Sequence, residues 1–327
     1  MIYTVDNITD PYWNLAAEEY LFTKFDVPVF RLWRNEKAVI VGRYQNAFAE
    51  IDRNFVKEHG VKVVRRMTGG GAVFHDLGNI NFTFIESRRT GEDSSAMFRR
   101  FTRPILEALR GLGVNAYLEG RNDLLIEGRK FSGNAICVSN GRILQHGTLL
   151  FSSSMEDISG SLKTRPEKFM GKAVKSNRSR VTNISNYLSE PMSALDFKEY
   201  LRKSISGKYD MTTYEYSDSD LKAIEELRSS KYSTCEWNYG QSPSYGFSRI
   251  SRFSGGFLEV SFSVSHGKIS ELKICGDYFF TEPTEKIVAS IIGSEYSEES
   301  LKRIIDAADI NSYFANITGT EFLSMFF

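Results

Sequence analysis

The stretch Arg65-Arg66-Met67-Thr68-Gly69-Gly70-Gly71-Ala72-Val73-Phe74-His75-Asp76 joins fixed charge to a freely folding backbone. Glycine has no Cβ, so its backbone can adopt φ > 0 and lie against a bulky ligand. Successive N–H groups in such a turn form an anion-binding concavity. A neighbouring arginine adds a planar, charged fork suited to phosphate or carboxylate. A plain hairpin turn would explain three glycines alone, but not with Arg65-Arg66 on one side and His75-Asp76 on the other. The chemistry indicated is phosphate handling. Lys130 lies in Gly128-Arg129-Lys130-Phe131-Ser132-Gly133-Asn134-Ala135, just after a tight turn. Its ammonium suits the charge that develops as a carboxylate attacks a phosphorus. Asp123, which begins the preceding strand, can face the same cleft. One carboxylate plus phosphate oxygens is an ordinary way to hold Mg²⁺.

These groups need a scaffold, and the periodicity supplies one. Asp10-Pro11 opens a helix running to Lys24, with Trp13, Ala17, Tyr20 and Leu21 on one face. Strands are expected at 29–33, 39–41, 61–66, 72–74, 79–85, 114–118, 123–126, 131–139 and 142–151. Asn140-Gly141 joins the last two as a hairpin, and Glu127-Gly128-Arg129 marks another tight turn. Helices are expected at 52–59, with Gly60 as its stop, and at 96–112, 194–206 and 218–231. Pro104 predicts a kink or a later start in the second of these. Hairpins outnumber βαβ units. The fold expected is therefore α+β: a mixed, mostly antiparallel sheet flanked by helices, placed on one side. A boundary near Gln241-Ser242-Pro243-Ser244 divides a catalytic domain, 1–241, from a small α+β accessory domain, 246–327. Between Lys163 and Arg180 seven basic residues stand against one acidic residue, Glu167. That segment reads as a basic loop, either a solvated face or a lid over the site.

Composition excludes several classes. With 41 basic and 41 acidic residues the formal charge cancels, so nothing marks a nucleic-acid binder. Cys137, Cys235 and Cys275 are far apart and odd in number, which fits neither a disulfide framework nor CxxC metal spacing. The N-terminus lacks the basic and apolar regions of a signal peptide, and no apolar run reaches transmembrane length. The expectation is a cytoplasmic protein with no membrane partner.

Seven segments in order then make a pattern. Asn14-Leu15-Ala16-Ala17-Glu18-Glu19 comes first, then Arg65 to Asn79, then Gly120-Arg121-Asn122-Asp123. Lys130-x-Ser132-Gly133-x-Ala135 and His146-Gly147-Thr148-Leu149-Leu150 follow. Arg178 to Asn183 and Glu236-Trp237-Asn238-Tyr239-Gly240 extend the series. Together they resemble the lipoate–protein ligases, over residues 10 to 245 and with an accessory C-terminal domain. The resemblance implies an ATP-dependent enzyme that converts lipoate to lipoyl-AMP. It then passes the lipoyl group to one lysine of a lipoyl domain, on 2-oxoacid dehydrogenase E2 subunits or the glycine-cleavage H protein. It implies the fold shared by biotin and lipoyl ligases, and ATP, Mg²⁺ and lipoate as the small molecules used. Arg66, Gly71, Ala72, Val73 and Phe74 match nucleotide-contacting positions. Lys130 matches the lysine that touches both lipoyl carbonyl and AMP phosphate. Asp123 matches the metal- and phosphate-proximal aspartate. Trp33 matches the far end of the lipoyl pocket, with Gly70, Gly71 and His75 also placed against lipoate.

Alternatives remain for particular residues. His75-Asp76 and His146 can be structural ties, Trp33 a core aromatic and Lys130 a solvated turn lysine. An ATP-independent acyltransferase of the same superfamily would relay the acyl group through a cysteine. Cys137, inside an apolar strand, reads instead as a small buried hydrophobe. A non-catalytic lipoate sensor would not need Arg66, Lys130 and Asp123. A biotin ligase is disfavoured by the lack of a Gly-Arg-Gly-Arg loop.

Overall fold

Three two-residue turns fix much of the architecture, because both of their residues sit at positive φ. They are Glu127-Gly128 (49° and 74°), Asn140-Gly141 (50° and 72°) and His266-Gly267 (49° and 73°). That geometry matches the right-handed twist of the strands it joins. The turns place Ile126 opposite Arg129, Ser139 opposite Arg142 and Ser265 opposite Lys268. The computed structural model describes residues 1–163, 181–239 and 246–327. The basic loop expected at Lys163–Arg180 lies outside the described residues apart from Lys163 itself, as does the boundary expected at Gln241–Ser244.

The strands are β1 (Ile2–Thr4), β2 (Val29–Trp33), β3 (Ala38–Val41), β4 (Lys62–Arg65), β5 (Val73–His75), β6 (Asn79–Ser87), β7 (Ala116–Glu119), β8 (Asp123–Ile126), β9 (Arg129–Ser139), β10 (Arg142–Leu150), β11 (Thr212–Tyr214), β12 (Phe247–Phe253), β13 (Gly256–Ser265) and β14 (Lys268–Gly276). An eight-stranded sheet runs β11-β1-β2-β6-β10-β9-β8-β7, and a small sheet runs β4-β3-β5. In the large sheet β1 pairs in parallel with β2 and β11, and its other pairs are antiparallel. A separate antiparallel sheet, β12-β13-β14, carries the C-terminal part with its short helices.

Alternation along the strands divides the large sheet into two unlike faces. Phe30, Leu32, Phe82, Phe84, Ile143 and Leu149 face one apolar core. The helix Ser94–Gly111 covers it with Phe98, Phe101, Ile105 and Leu109, and the helix Ala194–Ser206 adds Phe197, Leu201 and Ile205. The opposite face holds Arg31, Trp33, Asn81, Thr83, His146 and Thr148, all buried. Buried polar groups need partners, and the helix Pro11–Lys24 and the small sheet bring them. Helices thus cover both faces rather than one. The helix Ser94–Gly111 also runs unbroken through Pro104. The expected helix 218–231 ends at Leu227 and continues as one wider turn, Arg228–Tyr232. None of the described helices is long and apolar enough to cross a membrane.

Candidate active site

The glycine turn is held from behind. Arg66 leaves β4 and is fully buried, and its Nε donates to Thr68 Oγ1 at 2.8 Å. Nη1 donates to Ile40 O at 3.1 Å, and Nη2 to the carbonyls of Gly69 and Gly71 at 2.6 and 2.8 Å. Burial pushes the Arg66 pKa down to about 10, so it remains a cation at neutral pH. The guanidinium is therefore a brace that shapes the turn, with four of its five N–H groups bonded to protein oxygens. The expectation of a free fork aimed at phosphate needs that correction. Arg65 is likewise spent, on the carbonyls of Gly42, Arg43, Gln45, Trp237 and Asn238. Gly70 lies at φ +89°, and its N–H donates to Tyr278 O at 3.0 Å. The N–H groups of Gly71 and Ala72 carry no hydrogen bond among the described residues.

Lys130 is aimed by its hairpin. The register pairs Leu124 with Ser132 but Leu125 with Lys130, so Phe131 is an extra residue in β9. Such a bulge re-aims the side chain next to it. Phe131 turns into the core, and the Lys130 ammonium lies over Gly133, where a Cβ would be 3.2 Å from Nζ. Asp123, opposite Gly133 in the ladder, receives Nζ at 2.7 Å on Oδ1. Both side chains are 38% exposed, so this pair stabilises the fold little and can exchange partners. Asn122 and Asn134 tie the strands side by side through each other's carbonyls, at 2.6 and 2.9 Å. On the side of β9 away from β8, Thr182 N donates to Lys130 O at 2.9 Å.

Between these two features lies a cavity of about 110 Å³. Leu15, Trp33, Ile40 and Val73 give it an apolar wall. Arg66, Gly70, Gly71, Ala72, His75, Asn81, Asn122, Lys130, Asn134, His146 and Thr148 give it polar ones. An apolar slot with a few convergent polar groups suits a small molecule with a greasy body and a charged head. Eight of the expected residues thus meet here: Trp33, Arg66, Gly70, Gly71, Ala72, Val73, His75 and Lys130. Asp123 stands beside them through Lys130. Phe74 does not join them, because its side chain packs with Val39, Val41 and Val63 behind the small sheet. Adjacent residues on a strand face opposite sides, so Val73 and Phe74 could not both line the cavity.

His75 is buried, and desolvation pushes its pKa down to about 3, with nearby His146 and Arg66 adding to the effect. It is neutral, and its Nδ1 receives Asn35 Nδ2 at 3.0 Å. The proton therefore sits on Nε2, which has no partner among the described residues. Asp76 is a loop tie, accepting from Gly78 N and Ser154 N at 2.9 and 2.8 Å. Cys137 packs with Leu21, Phe22, Val29, Ile85 and Leu144, away from the cavity. Burial pushes its thiol up to about 12, which leaves no nucleophilic thiolate at neutral pH.

No group of three or more His, Cys, Asp or Glu side chains is placed to hold a metal among the described residues. Asp123 alone fits a Mg²⁺ that arrives with a nucleotide and takes its remaining ligands from phosphate and water. Glu18, Thr68 and Thr83 are buried around the cavity and were not expected as site residues. A signal for Glu18 was present: it shares a helical face with Leu15 and Phe22, and a carboxylate on an apolar stripe needs a reason.

The comparisons agree with this geometry. Residues 10–206 match the family model of the lipoyl protein ligase A/B catalytic domain. Residues 242–326 match that of the bacterial lipoate protein ligase C-terminus. The chain is 38% identical over 324 residues to lipoate–protein ligase 1 of Staphylococcus aureus, covering 98% of each. It resembles Plasmodium falciparum LipL1 in complex with lipoate at TM-score 0.77 and 25% identity, over 99% of this chain and 97% of that one. It also resembles a lipoate-protein ligase A bound with ATP at TM-score 0.64 and 28% identity, over 74% of this chain and 99% of that one. With a family model matched over residues 10–206 and a full-length relative at 38% identity, the chain belongs to the lipoate–protein ligase family.

Proposed function

We propose that this chain is an ATP-dependent ligase that joins lipoate to a lysine of an acceptor protein in two steps. Residues 1–241 act as the catalytic unit and 246–327 as an accessory unit. Lipoate enters tail first between Trp33, Leu15, Ile40 and Val73, with its carboxylate at Lys130. The ATP phosphates rest on the N–H groups of Gly71 and Ala72, on the turn that Arg66 braces.

A carboxylate oxygen attacks the α-phosphorus, the bond to the β-phosphate oxygen breaks, and pyrophosphate leaves. Positioning and neutralised charge carry such a displacement. Lys130 moves from Asp123 to the incoming anions and bridges acyl carbonyl and α-phosphate. Asp123 would hold a Mg²⁺ that offsets phosphate charge. In the second step an acceptor ε-amine attacks the acyl carbon, loses a proton, and AMP leaves. Asp123, once released from Lys130, or a phosphate oxygen takes that proton. The acceptors are lipoyl domains of 2-oxoacid dehydrogenase E2 subunits or the glycine-cleavage H protein, in the cytoplasm.

The observation that carries this reading is the Lys130 ammonium, lining the same cavity as the triple-glycine turn and paired, among the described residues, only with a half-exposed carboxylate. The test is an incubation of the full chain with ATP, Mg²⁺, lipoate and each candidate acceptor. Pyrophosphate release that requires lipoate, followed by a lipoyl mass on the acceptor, is expected. Acyl transfer that proceeds without ATP would refute it.

A further inference from the structure

Glu18 has no part in the two steps above, yet it is 2% exposed beside the cavity. Its Oε1 accepts from Thr83 Oγ1 at 2.6 Å, and its two oxygens lie 3.0 and 2.8 Å from His146 Nδ1. Thr83 Oγ1 itself accepts from Trp33 Nε1 at 2.9 Å. On the other arm, His146 Nε2 lies 2.8 Å from Thr68 Oγ1, which accepts from Arg66 Nε at 2.8 Å. Arg66 then grips the carbonyls of Gly69 and Gly71. One unbroken chain of hydrogen bonds thus joins the far end of the acid slot to the glycine turn.

Donor chemistry fixes the protons along it. Indole N–H and guanidinium Nε–H can only donate. Thr83 and Thr68 each receive one such bond and have one O–H left to give. Thr83 gives it to Glu18, and Thr68, whose hydroxyl meets no other acceptor among the described residues, gives it to His146 Nε2. The imidazole proton therefore sits on Nδ1 and faces Glu18. Both arms point inward, and they meet at a group that must accept from each: a carboxylate.

We infer that Glu18 is a positioning residue whose carboxylate sets the proton direction along both arms and so holds Trp33 and the Gly69–Gly71 turn in register. Its kinetic consequence rests on the ligase reading above; its structural consequence does not. Glu18→Gln keeps the shape but has one acceptor oxygen instead of two. With that oxygen on Thr83, its NH₂ takes the closer position, 2.8 Å from His146 Nδ1, and donates there; the imidazole proton then moves to Nε2 and leaves the Thr68 hydroxyl without an acceptor.

The experiment uses the full chain. The ¹⁵N signals of His146, one of four histidines, should report the Nδ1–H tautomer in the wild type and Nε2–H in Glu18→Gln. Lipoyl-AMP formation should fall roughly ten- to hundredfold in Glu18→Gln and in Thr68→Val. The double variant should lie within about threefold of the slower single, because both break one chain between residues that do not touch. Thr68→Ser, which keeps the hydroxyl, should stay within about threefold of wild type. An unchanged His146 tautomer in Glu18→Gln, or losses that multiply in the double variant, would overturn the inference. A wild-type chain that forms no adenylate would defeat the ligase reading instead, and the tautomer would still decide this one.

Discussion

An ammonium paired with one half-exposed carboxylate is ready to trade it for other anions, and Lys130 is in that state. Lys130→Ala should lower lipoyl-AMP formation by on the order of a hundred- to a thousandfold, the usual cost of losing a preorganised charge. Its unfolding midpoint should stay within about 0.5 kcal/mol of wild type, since the pair is exposed. Single-turnover adenylate formation and denaturant unfolding check both halves; near-normal adenylation would remove Lys130 from the chemistry. His75 gives a pH-dependent counterpart. Its folded pKa of about 3 lies below the ordinary 6.5, so below pH 6.5 the unfolded chain takes up a proton that the folded chain refuses. Stability from this residue is complete above pH 6.5 and drains away as pH falls toward 3, by about 2 kcal/mol at pH 5. His75→Gln should flatten that part of the stability–pH curve, and an unchanged slope would locate the proton uptake elsewhere. Lys130 and the glycines were legible as chemistry because their types admit few uses in that setting. Arg66 was legible only by type. Whether a guanidinium faces a ligand or its own backbone depends on burial, which sequence order does not reveal.

Single elements decide whether those residues meet. The hairpin turns Glu127-Gly128 and Asn140-Gly141 could be read directly, because a demand for positive φ leaves a mark on composition. The bulge at Phe131 could not: it preserves the apolar pattern of β9 and changes only the pairing with β8. Nor could the second face of the large sheet be read as a site, since Arg31, Thr83 and His146 look solvent-facing until the helix Pro11–Lys24 covers them. The triple-glycine turn separates two reasons for glycine. A Cβ on Gly69 would stand 2.2 Å from Tyr278 O, a backbone atom that cannot turn aside. A Cβ on Gly71 would meet nothing nearer than 3.9 Å. Gly69→Ala should therefore cost about 1–3 kcal/mol by forcing the backbones apart, whereas Gly71→Ala should change stability by less than about 0.5 kcal/mol. Urea unfolding of the two full-length variants checks this, and equal losses would mean the close approach at Gly69 carries no energy.

At the scale of the molecule, the C-terminal sheet is fastened to the rest at two places flanking the cavity. Arg121 donates to Gly255 O and stacks on Phe279 at 4.2 Å, and Phe279 in turn meets Phe98 edge-on. On the other flank Tyr44 stacks on Tyr278 at 5.4 Å and meets Phe280 edge-on. Its hydroxyl donates to Glu285 Oε2 at 2.9 Å, and its carbonyl accepts from Gly276 N at 3.0 Å. The Gly70–Tyr278 hydrogen bond runs between these anchors, so the glycine turn feels whether the accessory part is docked. Tyr44 is buried and belongs to the apolar cluster of the C-terminal part rather than to that of its own sheet. Tyr44→Ala should remove about 3–5 kcal/mol of contact energy from this seam. Tyr44→Phe keeps the stack and loses the hydroxyl's two bonds, the one it donates to Glu285 and the 3.3 Å one it accepts from Thr284 N, at a cost of about 1.5–3 kcal/mol. With so much of a seam's energy gone, the two parts should stop unfolding together. Wild type is expected to melt in one transition, and Tyr44→Ala in two, the earlier one reported by residues 246–327. Calorimetry on the full chain, with Trp13, Trp33 and Trp237 fluorescence following only the first 240 residues, separates the transitions. One coincident transition in Tyr44→Ala, at an unchanged midpoint, would show that the Tyr44 ring carries little of the seam and that Arg121, Phe279 and the Gly70–Tyr278 and Tyr44–Gly276 backbone bonds suffice to hold it.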